Sequence, residues 1–219
     1  VAIHFGNARV GSILVHVSPV YAGPEIARIL QRTSPRVLLI DASIAENIAE
    51  IIKDVPSIKH VITVGKDFAA AIKNMEICHP DISIDPTSAV AMTFTGGTTG
   101  QPKGAVVSHN ARFISAWTTA LEHRLTAQDI AGIVTPMFHA VSLMIWYQAT
   151  VLTGCTAVLF RKWDPTQFIL EAEKHSISSV FMVPVQIRDF LKSDSFTQSR
   201  LKTLKNISAG GAPTPEGLI

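Results

Sequence analysis

Cysteine is scarce in this sequence. Its two cysteines, Cys78 and Cys155, are too few and too far apart for a disulfide framework, so a reducing, cytoplasmic compartment is expected. Cys78-His79 has no second ligand pair at metal-binding spacing, which argues against a zinc site. Charge is thin as well. Charged residues make up 16%, the formal net charge is +2 and no basic cluster stands out, so no nucleic-acid partner is expected. Long apolar runs are missing too. The most apolar helical stretch, Val141 to Leu152, is interrupted by Ser142 and Gln148 and is too short to span a bilayer, which makes it a core helix rather than a transmembrane segment. The residues show no signal peptide, repeat, low-complexity tract or linker. Two familiar nucleotide signatures are absent. A Walker A loop needs Gly-Lys followed by Ser or Thr, whereas Lys103 lies between Pro102 and Gly104, and no G-x-G-x-x-G occurs nearby.

What is present is a 219-residue chain, 47% apolar, able to bury a sizeable core in one domain or two. Its most distinctive stretch runs from Thr93 to Gly104. Ala89-Val90-Ala91-Met92 before it and Ala105-Val106-Val107 after it read as buried strands. Between them sit four glycines, three threonines from Thr95 on, one proline and one lysine. Such a loop suits an anion: glycines let backbone N–H groups converge, threonines add hydroxyl donors, and a lysine supplies a point charge for phosphate oxygens. A glycine-rich surface turn is the plain alternative. The glycine density predicts an exposed, mobile loop.

Elsewhere strands and helices alternate. Val1 to Phe5 and Ile13 to Val17 read as strands, and Gly23-Pro24-Glu25 opens a helix with Ile26, Ile29 and Leu30 on one face. Val37 to Ile40 is a strand, followed by a capping box from Ser43 to Glu46 and a helix carrying Ile44, Ile48, Ile51 and Ile52 as far as Pro56. His60 to Val64 is a strand, and Phe68, Ile72 and Met75 mark a short helix. Ile114, Trp117, Leu121 and Leu125 form the apolar stripe of a long helix. Ile130 to Thr135 is a strand, the core helix ends at Gly154, and Thr156 to Phe160 is a strand. Asp164-Pro165-Thr166-Gln167 starts a helix with Phe168, Ile169 and Ala172 inward. Ser179 to Val183 is a strand, Ile187, Phe190 and Leu191 a helix face, and Asn206 to Ala209 the last strand. The pattern predicts an α/β fold with a largely parallel sheet layered with helices. One junction conflicts with it: only Gly6 to Ser12 separates the first two strands, too little for a parallel crossover. Either those strands form a hairpin or residues have been lost there, and the second option is preferred.

The segment T-G-G-T-T-G-Q-P-K-G, with Ser108-His109-Asn110 after it, resembles the phosphate-binding signature of the adenylate-forming superfamily, T-S-G-T-T-G-x-P-K-G followed by S-H-x-N. That group holds acyl- and aryl-CoA ligases, peptide-synthetase adenylation domains and luciferases. Gly96 stands where the family more often has Ser, so one hydroxyl donor is missing. Three more stretches agree in position and order. Pro136-Met137-Phe138-His139 resembles P-x-F-H, whose histidine lies by the acyl pocket and the substrate carboxylate. Taken alone, such a histidine is more often a core or helix-start residue. Val183-Pro184 resembles the V-P segment near the acyl tunnel, and Gly210-Gly211-Ala212-Pro213 the G-G-A-P turn facing adenine and the acyl group. Read by itself, the last is a plain strand-to-helix turn with Thr214 as cap and Pro215 next. His109 is assigned to structure, bonding the backbone where a helix starts.

The resemblance implies an acid–CoA ligase. ATP would be bound by Thr95, Gly96, Gly97, Thr98, Thr99, Gly100 and Lys103, with Lys103 and His139 as the catalytic pair. The adenine and acyl pocket would take Gly210, Gly211, Ala212, Pro213, Phe138 and His139, with Met137, Val141, Met144 and Met182 lining its acyl part. Carboxylate attack on the α-phosphate gives acyl-AMP and pyrophosphate, and coenzyme A then takes the acyl group. Magnesium would bridge phosphate oxygens, though no residue of this chain is assigned to hold it. The apolar lining suits a fatty or aromatic acid. The resemblance covers residues 1–219 as a single partial domain, the middle of the family's large N-terminal domain. The chain starts inside a strand and stops inside a helix, and it lacks the Y-G-x-T-E segment, the ribose-gripping Asp, the hinge and the C-terminal domain with its lysine. It is therefore expected to be a fragment, inactive on its own. The rival readings are an ATP-binding module without ligase activity, a peptide-synthetase-type adenylation domain without CoA ligation, and a non-enzymatic α/β scaffold. Which acid is used, and the oligomeric state, stay open.

Overall fold

A computed structural model describes residues 1–73, 75–76, 80–95 and 103–218. The chain divides into two compact units, Val1–Val107 and Ser108–Ile219.

The first unit opens with a helix, α1 (Ala2–Arg9), where the sequence predicts a strand. The amides of His4 and Phe5 bond back to the Val1 carbonyl at 2.9 and 3.4 Å, and the helix turns His4 inward. A five-residue apolar run carries too little periodicity to separate the two states, and tertiary burial decides. With α1 a helix, the seven-residue junction is no longer a link between strands, and neither a hairpin nor lost residues are needed to explain it. β1 (Leu14–His16) follows, then α2 (Gly23–Thr33), which buries the expected Ile26, Ile29 and Leu30. β2 (Val37–Asp41) ends on a residue that also starts the next element. Asp41 Oδ1 accepts from the Ser43 amide at 2.9 Å and so caps α3 (Ala42–Ala45). The cap thus lies two residues before the expected capping box at Ser43, and it is a single Asp cap rather than a box. Its helix is split by a 3₁₀ turn (Glu46–Ile48) before α4 (Ala49–Lys53). β3 (His60–Val64) and α5 (Lys66–Lys73) follow, with Met75 beyond the helix and exposed. β4 (Ala89–Thr95) and β5 (Lys103–Ser108) flank the glycine-rich stretch. β1, β4 and β5 form one sheet with β4 central, and β2 and β3 form a parallel pair. Ile26, Leu30, Ile40, Ile48 and Val55 make the core of this unit.

The second unit starts with α6 (His109–Glu122), then β6 (Ile130–Ile133). A π-helical segment (Val141–Tyr147) leads into α7 (Gln148–Thr153), which Gly154 closes at φ 73°. β7 (Thr156–Leu159) is followed by α8 (Pro165–His175), capped as expected by Asp164, whose Oδ1 accepts from the Gln167 amide at 2.8 Å. β8 (Ser179–Met182), α9 (Pro184–Leu191) and β9 (Asn206–Ala209) complete it. The expected helix after Thr214 is a short 3₁₀ turn, Glu216–Leu218.

The strands pair in parallel in the order β7-β6-β8-β9. Successive side chains of β8 point to opposite faces. Val180 and Met182 join Phe168, Ile169 and Phe190 of α8 and α9, whereas Phe181 packs with Ile133, Trp146 and Ala149 on the other side. Two helices depart from the expected faces. In α6 three of the four residues of the expected stripe are outside: Ile114, Trp117 and Leu121 are each more than half exposed, while Arg112, Ala116, Thr119 and Ala120 are buried; the fourth, Leu125, lies past the helix end and is buried as expected. Small side chains at Ala116, Thr119 and Ala120 let α6 approach α7 closely, which a row of Trp and Leu would prevent. Burial pulls the Arg112 guanidinium down to about 10. In α9, Ile187 and Phe190 are buried as expected but Leu191 is exposed.

Candidate functional site

In open α/β sheets, ligands bind at the carboxyl ends of the strands, where the strand order switches direction. In the second unit that point is β6, with β7 on one side and β8 on the other. A cavity of about 540 Å³ opens there. Val134, Thr135 and Pro136, just past β6, form one wall. The segment past β7 adds Phe160, Arg161, Lys162 and Trp163. Phe181 comes from β8, Val183 from the junction after it, Gln186 from α9, and Gly211 from the turn after β9. The surface is mostly apolar and aromatic, with two cations contributed by Arg161 and Lys162.

Local bonds fix this frame. The His139 amide bonds to the Pro136 carbonyl at 3.0 Å, and the Leu143 amide to the His139 carbonyl at 3.1 Å. Ser142 Oγ, fully buried, donates to the Thr135 carbonyl at 2.7 Å. This turn sets the exposed His139 in the cavity wall, with the Phe138 ring 4.9 Å from its own. At the opposite turn, Gly210 N–H donates to the Met182 carbonyl at 3.3 Å, tying the turn to the end of β8. Gly211 has φ 82°, and a Cβ on Gly210 would lie 3.1 Å from the Phe181 ring. The two glycines thus serve different needs, a left-handed backbone and close approach to an aromatic wall.

The cavity therefore brings together His139 and Gly211, expected at one site from distant segments. Of the apolar side chains expected around the acyl group, Val141 lines it. Met144 and Met182 are buried in the core, and Met137 packs against the cluster around Trp146. Phe138, Gly210, Ala212 and Pro213, also expected at this site, do not line the cavity: the Phe138 ring lies beside that of His139, and Ala212 and Pro213 are exposed in the turn. Lys103 is the exposed first residue of β5 and Thr95 the last of β4, both in the first unit. Gly96, Gly97, Thr98, Thr99 and Gly100 lie outside the described residues, as does the expectation of a mobile loop. His109 does not make the backbone bond expected of it. Ser108 Oγ caps α6 by accepting from the Ala111 amide at 3.2 Å, and among the described residues His109 Nε2 is buried without a hydrogen-bond partner. Among the described residues no three His, Cys, Asp or Glu side chains gather as a metal site, so magnesium is given no ligand from them.

The sequence reading missed Arg161, Lys162, Trp163 and Gln186. The signal for the first three was positional, since they lie between the end of a strand and the cap of the next helix, on the carboxyl edge of the sheet. Gln186 carried a subtler one: a polar residue on the otherwise apolar inner face of α9.

Known proteins resemble this chain along almost its whole length. 4-Coumarate–CoA ligase 3 of Oryza sativa subsp. japonica is 26% identical over 97% of this chain and 40% of its own length. A long-chain-fatty-acid–CoA ligase of Thermus thermophilus is 26% identical over 99% of this chain and 41% of its own. The chain thus spans about two-fifths of the length of these curated relatives. The crystal structure of ATP-bound MatB from Rhodopseudomonas palustris superposes with a TM-score of 0.90 at 21% identity, covering 99% of this chain and 43% of that one. At that identity the likeness shows the fold alone, an α/β arrangement of parallel strands and helices. The sequence profile of the family described as AMP-binding enzyme matches residues 1–219, from the first strand-rich unit through the cavity and its glycine turn, and the chain belongs to that family.

Proposed function

We propose that this chain is part of the N-terminal domain of an acid–CoA ligase, with both units belonging to one partial domain. The parent activates a fatty or aromatic carboxylic acid with ATP, forming acyl-AMP and pyrophosphate, and passes the acyl group to coenzyme A. The observation that carries this reading is the meeting of His139 and Gly211 in the wall of one apolar cavity on the carboxyl edge of the sheet. Relatives named as ligases of 4-coumarate, long-chain fatty acids and indoleacetate support the same class.

In this reading the apolar walls hold the hydrocarbon of the acid, and His139 lies where its carboxylate enters. Thr95 through Gly100 and Lys103 receive the ATP phosphates. Both reactants are anions, so orientation and charge neutralisation supply most of the rate enhancement. The chain alone is inactive, because positioning depends on segments of the parent that it lacks. The test is ATP-dependent pyrophosphate exchange and acyl-CoA formation with a panel of aliphatic and aromatic acids, run on this chain and on the intact protein. Acid-dependent exchange and acyl-CoA from the intact protein alone is the expected result. Exchange without CoA transfer would favour a plain adenylation domain, and no exchange with any acid would overturn the proposal.

A further inference from the structure

Gln186 is a polar side chain in an apolar wall. It is 5% exposed and lines the cavity. Its oxygen accepts from the Val183 amide at 3.1 Å, and its nitrogen donates to the Val134 carbonyl at 3.1 Å. These bonds tie the residues just past β6 and β8 to one amide group. They also fix which end of the amide is which. Reversing it would set its N–H against the Val183 N–H and its oxygen against the Val134 carbonyl.

A glutamine amide has two N–H donors and two carbonyl lone pairs. One of each is used, and among the described residues the other donor and lone pair have no protein partner. Burying such groups beside apolar walls is unfavourable unless something bonds them. Phe160, Phe181 and Trp163 line the same cavity, which gives it an aromatic wall. A hydroxyl both donates and accepts, so it matches an amide with one free donor and one free lone pair. An aryl ring matches an aromatic wall.

Resting on the reading of this cavity as the acid site, we propose that Gln186 is a specificity-determining residue that hydrogen-bonds a hydroxyl on the ring of an aromatic acid, so that hydroxylated aryl acids are preferred over unsubstituted aryl and saturated aliphatic ones. The amide is held ready by the two bonds it already makes, so little ordering accompanies the contact. A site built to bond a hydroxyl discriminates against analogues that lack it more strongly than an apolar pocket discriminates by size.

The experiment measures binding of 3-phenylpropanoate, 3-(4-hydroxyphenyl)propanoate and octanoate by calorimetry, to this chain and to the intact protein, for the wild type, Gln186→Met and Gln186→Asn. The wild type is expected to favour the hydroxylated acid by about 10-fold or more, the factor that one good hydrogen bond gives. Gln186→Met, similar in volume, should bring that ratio close to one. Gln186→Asn should restore part of it. A purely structural glutamine would weaken all three acids together and leave the ratio alone. An unchanged ratio in Gln186→Met, or no preference in the wild type, overturns the inference and leaves the ligase reading standing. Failure of every acid to bind either protein overturns both. If Gln186→Met does not fold, the wild-type ratio and the Asn variant decide.

Discussion

The indole Nε1 of Trp146 donates to the backbone carbonyl of Gly132 at 3.1 Å. Trp146 is 1% exposed and belongs to the π-helical segment, whereas Gly132 lies in the middle of β6. The bond therefore pins the helix that follows the His139 turn to the strand that precedes it. Gly132 has little room for a side chain: a Cβ there would lie 3.3 Å from Val180. Trp146→Phe keeps an aromatic ring but leaves the buried carbonyl without this donor, at an expected cost of about 1–3 kcal/mol. Trp146→Ala should cost about 3–5 kcal/mol through the cavity it opens. Denaturant unfolding of the two variants checks the order. Equal losses would mean that the hydrogen bond adds nothing to ring packing.

Gly210 and Gly211 should respond differently to alanine. Gly211 has φ 82°, so Gly211→Ala strains the backbone by about 1–2 kcal/mol and should lower the melting temperature. At Gly210 the new methyl meets the Phe181 ring at 3.1 Å, and that ring is part of the cavity wall. Gly210→Ala should then change acid binding more than stability, by pushing Phe181 aside. Thermal melting paired with calorimetry separates the two. A large stability loss at Gly210 with unaltered acid binding would contradict the assignment.

The same contrast shows what could be read from sequence. The Asp164-Pro165-Gln167 helix start is a local pattern, and its cap forms as read because every atom involved lies within four residues. The α8 face of Phe168, Ile169 and Ala172 was legible for a similar reason, since one apolar stripe had one core to meet. The α6 stripe failed because burial there follows closeness of approach, and alanine outcompetes tryptophan when two helices pack tightly. The pocket was half legible. Motif residues such as His139 and Gly211 announced themselves, whereas one of the two bonds that hold Gln186 reaches Val134, a partner 52 positions away. Sequence periodicity holds no trace of such a partner.

Acidity should loosen the contact between the end of α6 and β9. Ser208 Oγ lies 2.8 Å from His123 Nδ1, and Asn206 Nδ2 donates to the His123 carbonyl at 3.3 Å. Burial pushes the His123 imidazole below its usual value, against the opposing charge of Glu122. The unfolded chain therefore takes up the proton at higher pH than the folded one does. Stability from this group is complete above the unfolded histidine value of about 6.5 and is lost as pH falls from there through the folded value. Melting temperatures between pH 8 and 5 should show this decline, and His123→Gln should flatten it. An identical slope in the variant would assign the decline to other groups.

Lys103 and His139 should separate by kinetics in the intact protein. Lys103 heads β5 directly after the glycine-rich stretch, exposed and therefore free to meet phosphate oxygens. In the proposed reaction, charge moves toward the departing pyrophosphate, and a fixed cation there stabilises the transition state more than the ground state. Lys103→Ala should slow acyl-AMP formation by about 10²–10³, the effect of one preorganised donor. The loss should be alike for every acid, because the phosphates are common to all. His139 lines the cavity proposed to take the acid, so His139→Ala should reorder the acids and leave ATP affinity nearly unchanged. Neither variant should unfold the protein, since both side chains are exposed and bury little apolar area. Pyrophosphate release across short, long and aromatic acids, with thermal melting as a control, reads both effects. Equal losses for His139→Ala across the panel, or a large fall in its melting temperature, would return that histidine to a structural role. Acid-dependent losses for Lys103→Ala would likewise remove the lysine from the phosphates.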